Sequence, residues 1–412
     1  MPLALFALTL SAFAIGTTEF VIVGLIPTIA NQLQVSLPSA GLLVSLYALG
    51  VAIGAPVLTA LTGRVPRKTL LLALMLLFIG GNLLAWQAPG YGTLILARIL
   101  TGLAHGVFFS VGSTIATGLV SRDKAASAIA IMFAGLTVAL VTGVPLGTWI
   151  GQQFGWRETF LAVSLLGLLA LIGSALLIPA HLQLSAPPAW RDQLRVLTAR
   201  PLLKVYAKTA LGYGGTFTAF TFLSPILQQI SGFTPNQVSL LLLVYGVSVA
   251  VGNLWGGRLA DRLGPVPALR RLFAGLALVL LLLTFTAPSP LLAALTVLIW
   301  GAFAFGNVPA LQVRVVQQAE RHAPGAVDVA SGLNIAAFNI GIALGSIIGG
   351  LTVEHLGLMH TPWIGALIVL LALGLTAGSE RASPAPSPKP QGARGLTAHQ
   401  DASWPSRPDW FS

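Results

Sequence analysis

The sequence contains no cysteine, which excludes a disulfide scaffold, a thiol nucleophile and a cysteine-ligated metal, and leaves the redox compartment unmarked. Charge is nearly as scarce. Only 8% of the 412 residues are Asp, Glu, Lys or Arg, against about 25% in a soluble domain, so a water-exposed body of this length could not be wetted. No Gly-x-Ser-x-Gly, HExxH or phosphate-binding loop is present. Near the centres of the apolar runs only Glu19, Arg98 and His105 are ionisable, fewer than the three or four ligands a zinc site needs once Arg is set aside. Neither an intramembrane enzyme, a metal or cofactor site, nor ATP-driven work by this chain alone is supported.

What is abundant is apolar. Hydrophobic residues make up 55% of the chain and mean hydropathy is +0.87, so length counts membrane spans of about 20 residues each. The runs fall at 3–30, 39–61, 69–88, 92–119, 125–150, 158–179, 203–230, 237–259, 268–287, 290–317, 327–352 and 360–379. This predicts an all-α integral membrane protein of twelve transmembrane helices. The first run lacks a positive n-region and continues to Ala30, so it reads as a retained helix and not a secretory signal.

The net charge of +11 raises the question of nucleic acid, which the positions of the basic residues answer. With a cytoplasmic N-terminus, 20 of the 22 Lys and Arg fall on one side, leaving only Arg157 outside and Arg98 within a helix. Dispersal among loops, without an aromatic-lined groove, is the positive-inside pattern and not a nucleic-acid surface. It places both termini in the cytoplasm, with the plasma (inner) membrane as the location.

Residues 181–201 break the apolar pattern with Pro187, Pro188 and Asp192, dividing the chain into two six-helix bundles, 1–180 and 202–380, joined by a cytoplasmic linker. Residues 381–412 are rich in Pro, Ser and Ala and read as a disordered tail. An offset of 198 residues relates the halves: Gly63-Arg64 falls on Asp261-Arg262, and Gly143, Gly147 and Gly151 fall on Gly341, Gly345 and Gly349. Small residues spaced by four let helices approach closely in lipid. The fifth and eleventh helices could use them for packing or as sliding contacts between halves.

Several stretches resemble the major facilitator superfamily, and within it the drug:proton antiporter 1 group of arabinose-efflux-like and sugar-efflux-like inner membrane proteins. After the eighth run stands Gly257-Arg258-Leu259-Ala260-Asp261-Arg262-Leu263-Gly264, the superfamily's loop signature intact; after the second, Gly63 takes the aspartate's place before Arg64, Val65, Pro66, Arg67 and Lys68. Gly16-Thr17-Thr18-Glu19-Phe20, Arg98 to Gly106, Gly143-Val144-Pro145-Leu146-Gly147-Thr148, and Asn334 to Asn339 followed by Gly341 and Gly345 also look like this group. The resemblance covers nearly all of residues 1–380. It implies the major facilitator fold of two pseudo-symmetric bundles, a monomer, and a cytoplasmic latch at Arg64, Arg67, Gly257, Asp261, Arg262 and Gly264, weakened by the missing aspartate. It also links Arg98 to proton transfer.

Read from the residues themselves, Glu19 requires a reason, because a carboxylate near the bilayer centre costs several kcal/mol unless neutralised, paired or facing water. A group that takes and releases a proton as its access switches sides supplies one; a static paired or hydrogen-bonded acid supplies another. Arg98 and His105 lie seven residues apart on one helix face. Arg98 cannot release its proton and would act as a fixed charge, while His105 titrates in the physiological range and could relay a proton, contact the solute or serve as a structural group. Solute contacts are expected from Tyr47, Phe109, Tyr213, Asn334 and Asn339, with Phe108, Phe217, Tyr245, Asn307 and Phe338 as further candidates. One acid among neutral and aromatic neighbours suits an uncharged, amphipathic or cationic small molecule. The expected function is secondary transport by alternating access, with proton-coupled efflux ahead of proton-coupled uptake or facilitated diffusion, and a receptor role more remote.

Overall fold

The computed structural model describes residues 2–58, 61–62, 65–121, 124–180 and 195–378. Most of the linker, the whole 381–412 tail and the latch residue Arg64 therefore lie outside the described residues. The described chain is built of helices: α1 (Leu3–Leu33), α2 (Leu37–Ile53, extended by a π turn, Gly54–Leu58), α3 (Arg67–Trp86), α4 (Tyr91–Gly118), α5 (Ala125–Val138, a π turn at Ala139–Gly143, then Val144–Phe154) and α6 (Trp156–Leu177). The second half repeats the set: α7 (Arg200–Phe220, then Leu223–Pro225 and a π turn, Ile226–Ile230), α8 (Pro235–Leu263), α9 (Pro265–Thr286), α10 (Pro290–His322), α11 (Val327–His355) and α12 (Thr361–Gly378). Eleven of these are long and apolar enough to cross a membrane by length and composition alone among the described residues. The twelfth is α7, whose hydropathy is diluted by Arg200, Lys204 and Lys208 and whose helix is broken near Pro225.

Local chemistry explains the boundaries. Ser36 caps α2 by accepting from the Ser39 N–H, and Thr234 and Gln237 form a reciprocal capping box at the start of α8. Gly264 adopts φ +83° between α8 and α9, a backbone conformation that glycine holds without Cβ strain. Among the described residues three π turns each contain or lie within two residues of a proline, Pro56, Pro145 or Pro225, whose missing N–H and bulky ring disturb the regular i to i−4 ladder. Apolar runs did not disclose these interruptions. Nor did they disclose that α8 and α10 continue past the runs to Leu263 and His322, since charged residues extend a helix into water as readily as apolar ones.

The repeat appears in contacts as well as in sequence. Lys68 Nζ of α3 donates to the Ala175 carbonyl of α6 at 2.7 Å, and Arg270 of α9 donates to the Ala377 carbonyl of α12 at 3.2 Å. Exposed apolar side chains such as Leu169, Leu176, Phe285 and Leu371 form the lipid-facing belt.

The two halves meet unevenly. Toward the face holding the α1–α2 and α7–α8 connections, one continuous apolar core runs through Val21–Ile29 of α1, Phe220–Leu227 of α7 and Val238–Val249 of α8. Toward the opposite, basic face the cores separate: Ala4–Ile15 packs with Leu70–Phe78 and Val107–Ala116 in the first half, while Leu202 and Val205 pack with Val315–Ala330 in the second. The apolar core is thus shared at one face and split at the other, while α2 and its π turn also lie against α11.

Candidate functional site

Helix α1 is placed by α5. A Cβ added at Gly147 would lie 2.7 Å from Val21, and one at Gly143 would strike Thr17. In the second half the counterparts do the same against α7: Gly341 backs onto Ala210 and Gly345 onto Gly214. Pro145 is buried at the first turn after the α5 π bulge. These glycine stripes hold helices together within each half. Close contacts between the halves are made by other residues, Gly246 of α8 against Leu140 and Val141 of α5, and Gly41 of α2 against Phe222 of α7.

With one face fixed on α5, α1 turns Glu19 toward α4. Helices α2 and α4 approach backbone to backbone, because a Cβ at Gly102 would overlap the Tyr47 carbonyl and one at Gly106 would lie 2.5 Å from the Val51 carbonyl. That approach assembles four side chains, each less than a tenth exposed: Glu19, Tyr47, Arg98 and His105. His105 Nδ1 lies 3.0 Å from the Tyr47 hydroxyl and 3.9 Å from Glu19 Oε2. Arg98 donates to the carbonyls of Thr18 at 2.7 Å, Glu19 at 3.3 Å and Leu43 at 3.3 Å, and its guanidinium stacks 4.2 Å over the Tyr47 ring. It therefore ties α4 to both α1 and α2 through their main-chain carbonyls. Thr18 adds a bond to Asn82 of α3 at 2.7 Å.

Across the division stands an aromatic wall. Phe20, next to Glu19, reaches Phe217 of α7 at 6.2 Å and Phe305 of α10 at 6.3 Å between ring centroids. Tyr213 stacks on Phe217, meets Phe305 edge-on and lies 4.5 Å from Phe338 of α11. Phe220, Tyr245 and Trp300 continue the wall, and the Tyr245 hydroxyl and Trp300 Nε1 are buried without a hydrogen-bond partner. Polar chemistry is thus concentrated in the first half and aromatic surface in the second.

The remaining candidates divide by what their polar atoms do. Asn334 accepts from Thr209 and donates to Gln312, both at 2.8 Å, so its amide joins α7, α10 and α11. Asn339 donates to its own helix at Ile335 and leaves Oδ1 buried and unpaired; Asn307 likewise bonds its own helix and leaves Oδ1 unpaired. Phe109 sits 5.0 Å from His105 and packs on Phe108 and Phe133, beside the polar cluster and not in the aromatic wall. Of the latch residues, Arg67 begins α3, Gly257 lies beside Pro309, and Asp261 and Arg262 are exposed at the end of α8, with Asp261 making no ion pair among the described residues.

Residues that sequence reading passed over make the contact at the joined face. Ser239 donates to Gln152 and Gln153 donates to Asn236, both at 2.7 Å, and Ser224 donates to the Gly24 carbonyl at 3.4 Å. Their signal was present as amides and hydroxyls at helix ends, but such residues also occur at any wetted terminus. Phe20 and Phe305 were missed because an apolar run does not distinguish a lipid-facing ring from an inward one.

The Major Facilitator Superfamily model matches residues 8–328. An uncharacterized MFS-type transporter, YtbD, of Bacillus subtilis (strain 168) is 54% identical over 376 residues, covering 91% of this chain and 95% of that one. A chloramphenicol resistance protein of Streptomyces lividans is 34% identical over 379 residues, covering 90% and 95%. The crystal structure of a bacterial homologue of the human lysosomal transporter Spinster, inward-facing and unoccupied, superposes with a TM-score of 0.73 at 17% identity, covering 92% of this chain and 96% of that one. The arrangement of two six-helix halves around a buried polar and aromatic centre is that of a carrier, and the chain belongs to the Major Facilitator Superfamily as a multi-pass membrane transporter.

Proposed function

We propose that the protein exports a small, uncharged, amphipathic or cationic organic solute in exchange for protons. The observation that carries this reading is the buried Glu19 carboxyl, 3.9 Å from His105 and one residue from Phe20, which enters the aromatic wall of the other half. A carboxyl so placed can alternate between a charged form that attracts a cationic or hydrogen-bonding solute and a neutral form that releases it. The fixed Arg98 charge and His105 set which form prevails. Tyr213, Phe338 and the free Oδ1 of Asn339 are the solute contacts on the other side, with no cluster of Arg or Lys among the described residues at this level to hold a polyanion. The resemblance to a chloramphenicol resistance protein supports export of a compact aromatic solute.

In this reading the halves rock about the central site. The joined face, closed by Gln152, Gln153, Ser239 and Asn236, opens as the basic face shuts and the Asp261 carboxylate approaches the first half's Arg67. The excess of basic residues in the connections on the divided face supports a cytoplasmic position for that face and for both termini, in the plasma membrane, with the carrier acting as a monomer. The test is solute flux in reconstituted vesicles with and without a pH gradient, comparing the wild type with Glu19→Gln. Proton-driven accumulation lost in the variant, with solute exchange retained, is the expected result. Flux indifferent to both pH and the variant would make the protein a facilitator.

A further inference from the structure

Tyr47 was expected to contact solute, yet its surroundings describe another task. Its ring is covered by the Arg98 guanidinium at 4.2 Å, its carbonyl is pressed by Gly102, and its hydroxyl reaches His105 Nδ1 at 3.0 Å. The residue is fully buried. A single ring nitrogen holds either one proton or one lone pair, so Nδ1 engages one strong partner at a time. In this state Tyr47 has it, and the Glu19 oxygen at 3.9 Å is beyond hydrogen-bond length. Should Tyr47 withdraw, a shift of about 1 Å would let Nδ1–H donate to the Glu19 carboxylate, since a charge-assisted bond closes at about 2.8 Å.

Tyr47 also sits on the helix that meets the other half. Upstream of it, α2 carries Pro38 and Gly41 against Gly350 of α11 and Phe222 of α7; downstream it ends in the π turn at Gly54–Leu58. Movement at the joined face therefore reaches the hydroxyl through one short stretch of helix. The titratable and charged groups facing Tyr47 are Glu19 from α1 and Arg98 and His105 from α4. Helix α11, the other element against α2, has its ionisable residues Asp328, Glu354 and His355 at its two ends.

We infer that Tyr47 is a positioning residue, whose hydroxyl competes with Glu19 for His105 Nδ1 and so links the contact between halves to the protonation of Glu19. This rests on the proton-coupling reading above and deepens it. The role is separate from binding solute, because the hydroxyl is already committed and the ring is covered.

The test needs no solute. The infrared carboxyl band of the purified full-length protein in lipid nanodiscs is titrated with pH, and the Glu19 component is assigned by its disappearance in Glu19→Gln. In Tyr47→Phe, which keeps the ring and its stacking, the Glu19 midpoint is expected to move to lower pH by about one unit, the size of one charge-assisted hydrogen bond changing hands. In a His105→Gln background the same substitution should produce no further shift. An unmoved or raised midpoint, or equal shifts with and without His105, would overturn the role of Tyr47. If Tyr47→Phe fails to fold, Tyr47→Leu takes its place, removing the hydroxyl without adding another donor, and is read the same way. Absence of any titrating band assignable to Glu19 would instead overturn the proton-coupling reading itself.

Discussion

Substituting Gly246 by alanine should push the transporter out of the state described here. Where α8 crosses the π turn of α5, an added Cβ would overlap the Leu140 carbonyl oxygen, lie 2.7 Å from its carbon and 2.8 Å from Val141 Cα. Every atom it meets is backbone, so no side chain can swing aside. Overpacking of this kind costs about 1–3 kcal/mol. The cost falls only on the state in which these helices touch, so the ratio of joined to opened molecules should fall by about 5- to 150-fold, taking 1.4 kcal/mol as tenfold. Gly41→Ala is the milder case, since its Cβ would meet the Phe222 ring at 2.7 Å, a side chain and not backbone, and a smaller change is expected. Gly345→Ala is the control within one half: it collides with the Gly214 backbone, so it should lower thermal stability without altering the ratio. Because the chain has no cysteine, a pair introduced at Gln153 and Asn236, whose side chains are 2.7 Å apart, reports closure by cross-linking or by spin-label distance. Cross-linking unchanged in Gly246→Ala but lost in Gly345→Ala would refute the assignment of the cross-half contact.

Arg98→Lys should destabilise the protein by about 3 kcal/mol in thermal unfolding in detergent, because an ammonium keeps about one of the three carbonyl bonds made by the guanidinium and each charged bond lost costs about 1.5 kcal/mol. A variant as stable as the wild type would remove Arg98 as the tie between α1, α2 and α4. The two amides of α11 should separate cleanly: Asn334→Leu, which strands Thr209 and Gln312, should cost about 1–3 kcal/mol of stability and leave KM unchanged, whereas Asn339→Leu should raise KM with little loss of stability. Reversal of that pattern would exchange their roles.

The fold was legible in the sequence because lipid enforces a simple rule: backbone groups must be satisfied within each span, so apolar length reports helices directly. The identity of the polar centre was legible for the same reason, since Glu19, Arg98 and His105 are costly at mid-membrane and had to face inward and converge. What those groups bond to was not legible. The Arg98 partners are main-chain carbonyls, which every residue possesses, and the choice among them is fixed by the approach of Gly102 and Gly106 to α2. The glycine stripes were visible, but spacing by four states only that a neighbour comes close, and both the same half and the other half could have supplied it. The aromatic wall was partly visible through Tyr213, Phe217 and Phe338; Phe20 and Phe305 joined it only once the helices were rotated into place. The broken α7 illustrates the converse, a span whose basic first turns and Pro225 hide it from a hydropathy criterion although its packing is that of its counterpart α1.

The central claim is that Glu19 couples protons to solute movement. It is tested most directly in vesicles containing wild type or Glu19→Gln, screened with chloramphenicol, sugars, nucleosides and cationic dyes under an imposed pH gradient. The account predicts a solute that moves against its own gradient only while the pH gradient lasts, and a variant that still exchanges this solute across the membrane but no longer concentrates it. Equal gradient-driven accumulation by the variant and the wild type would contradict it.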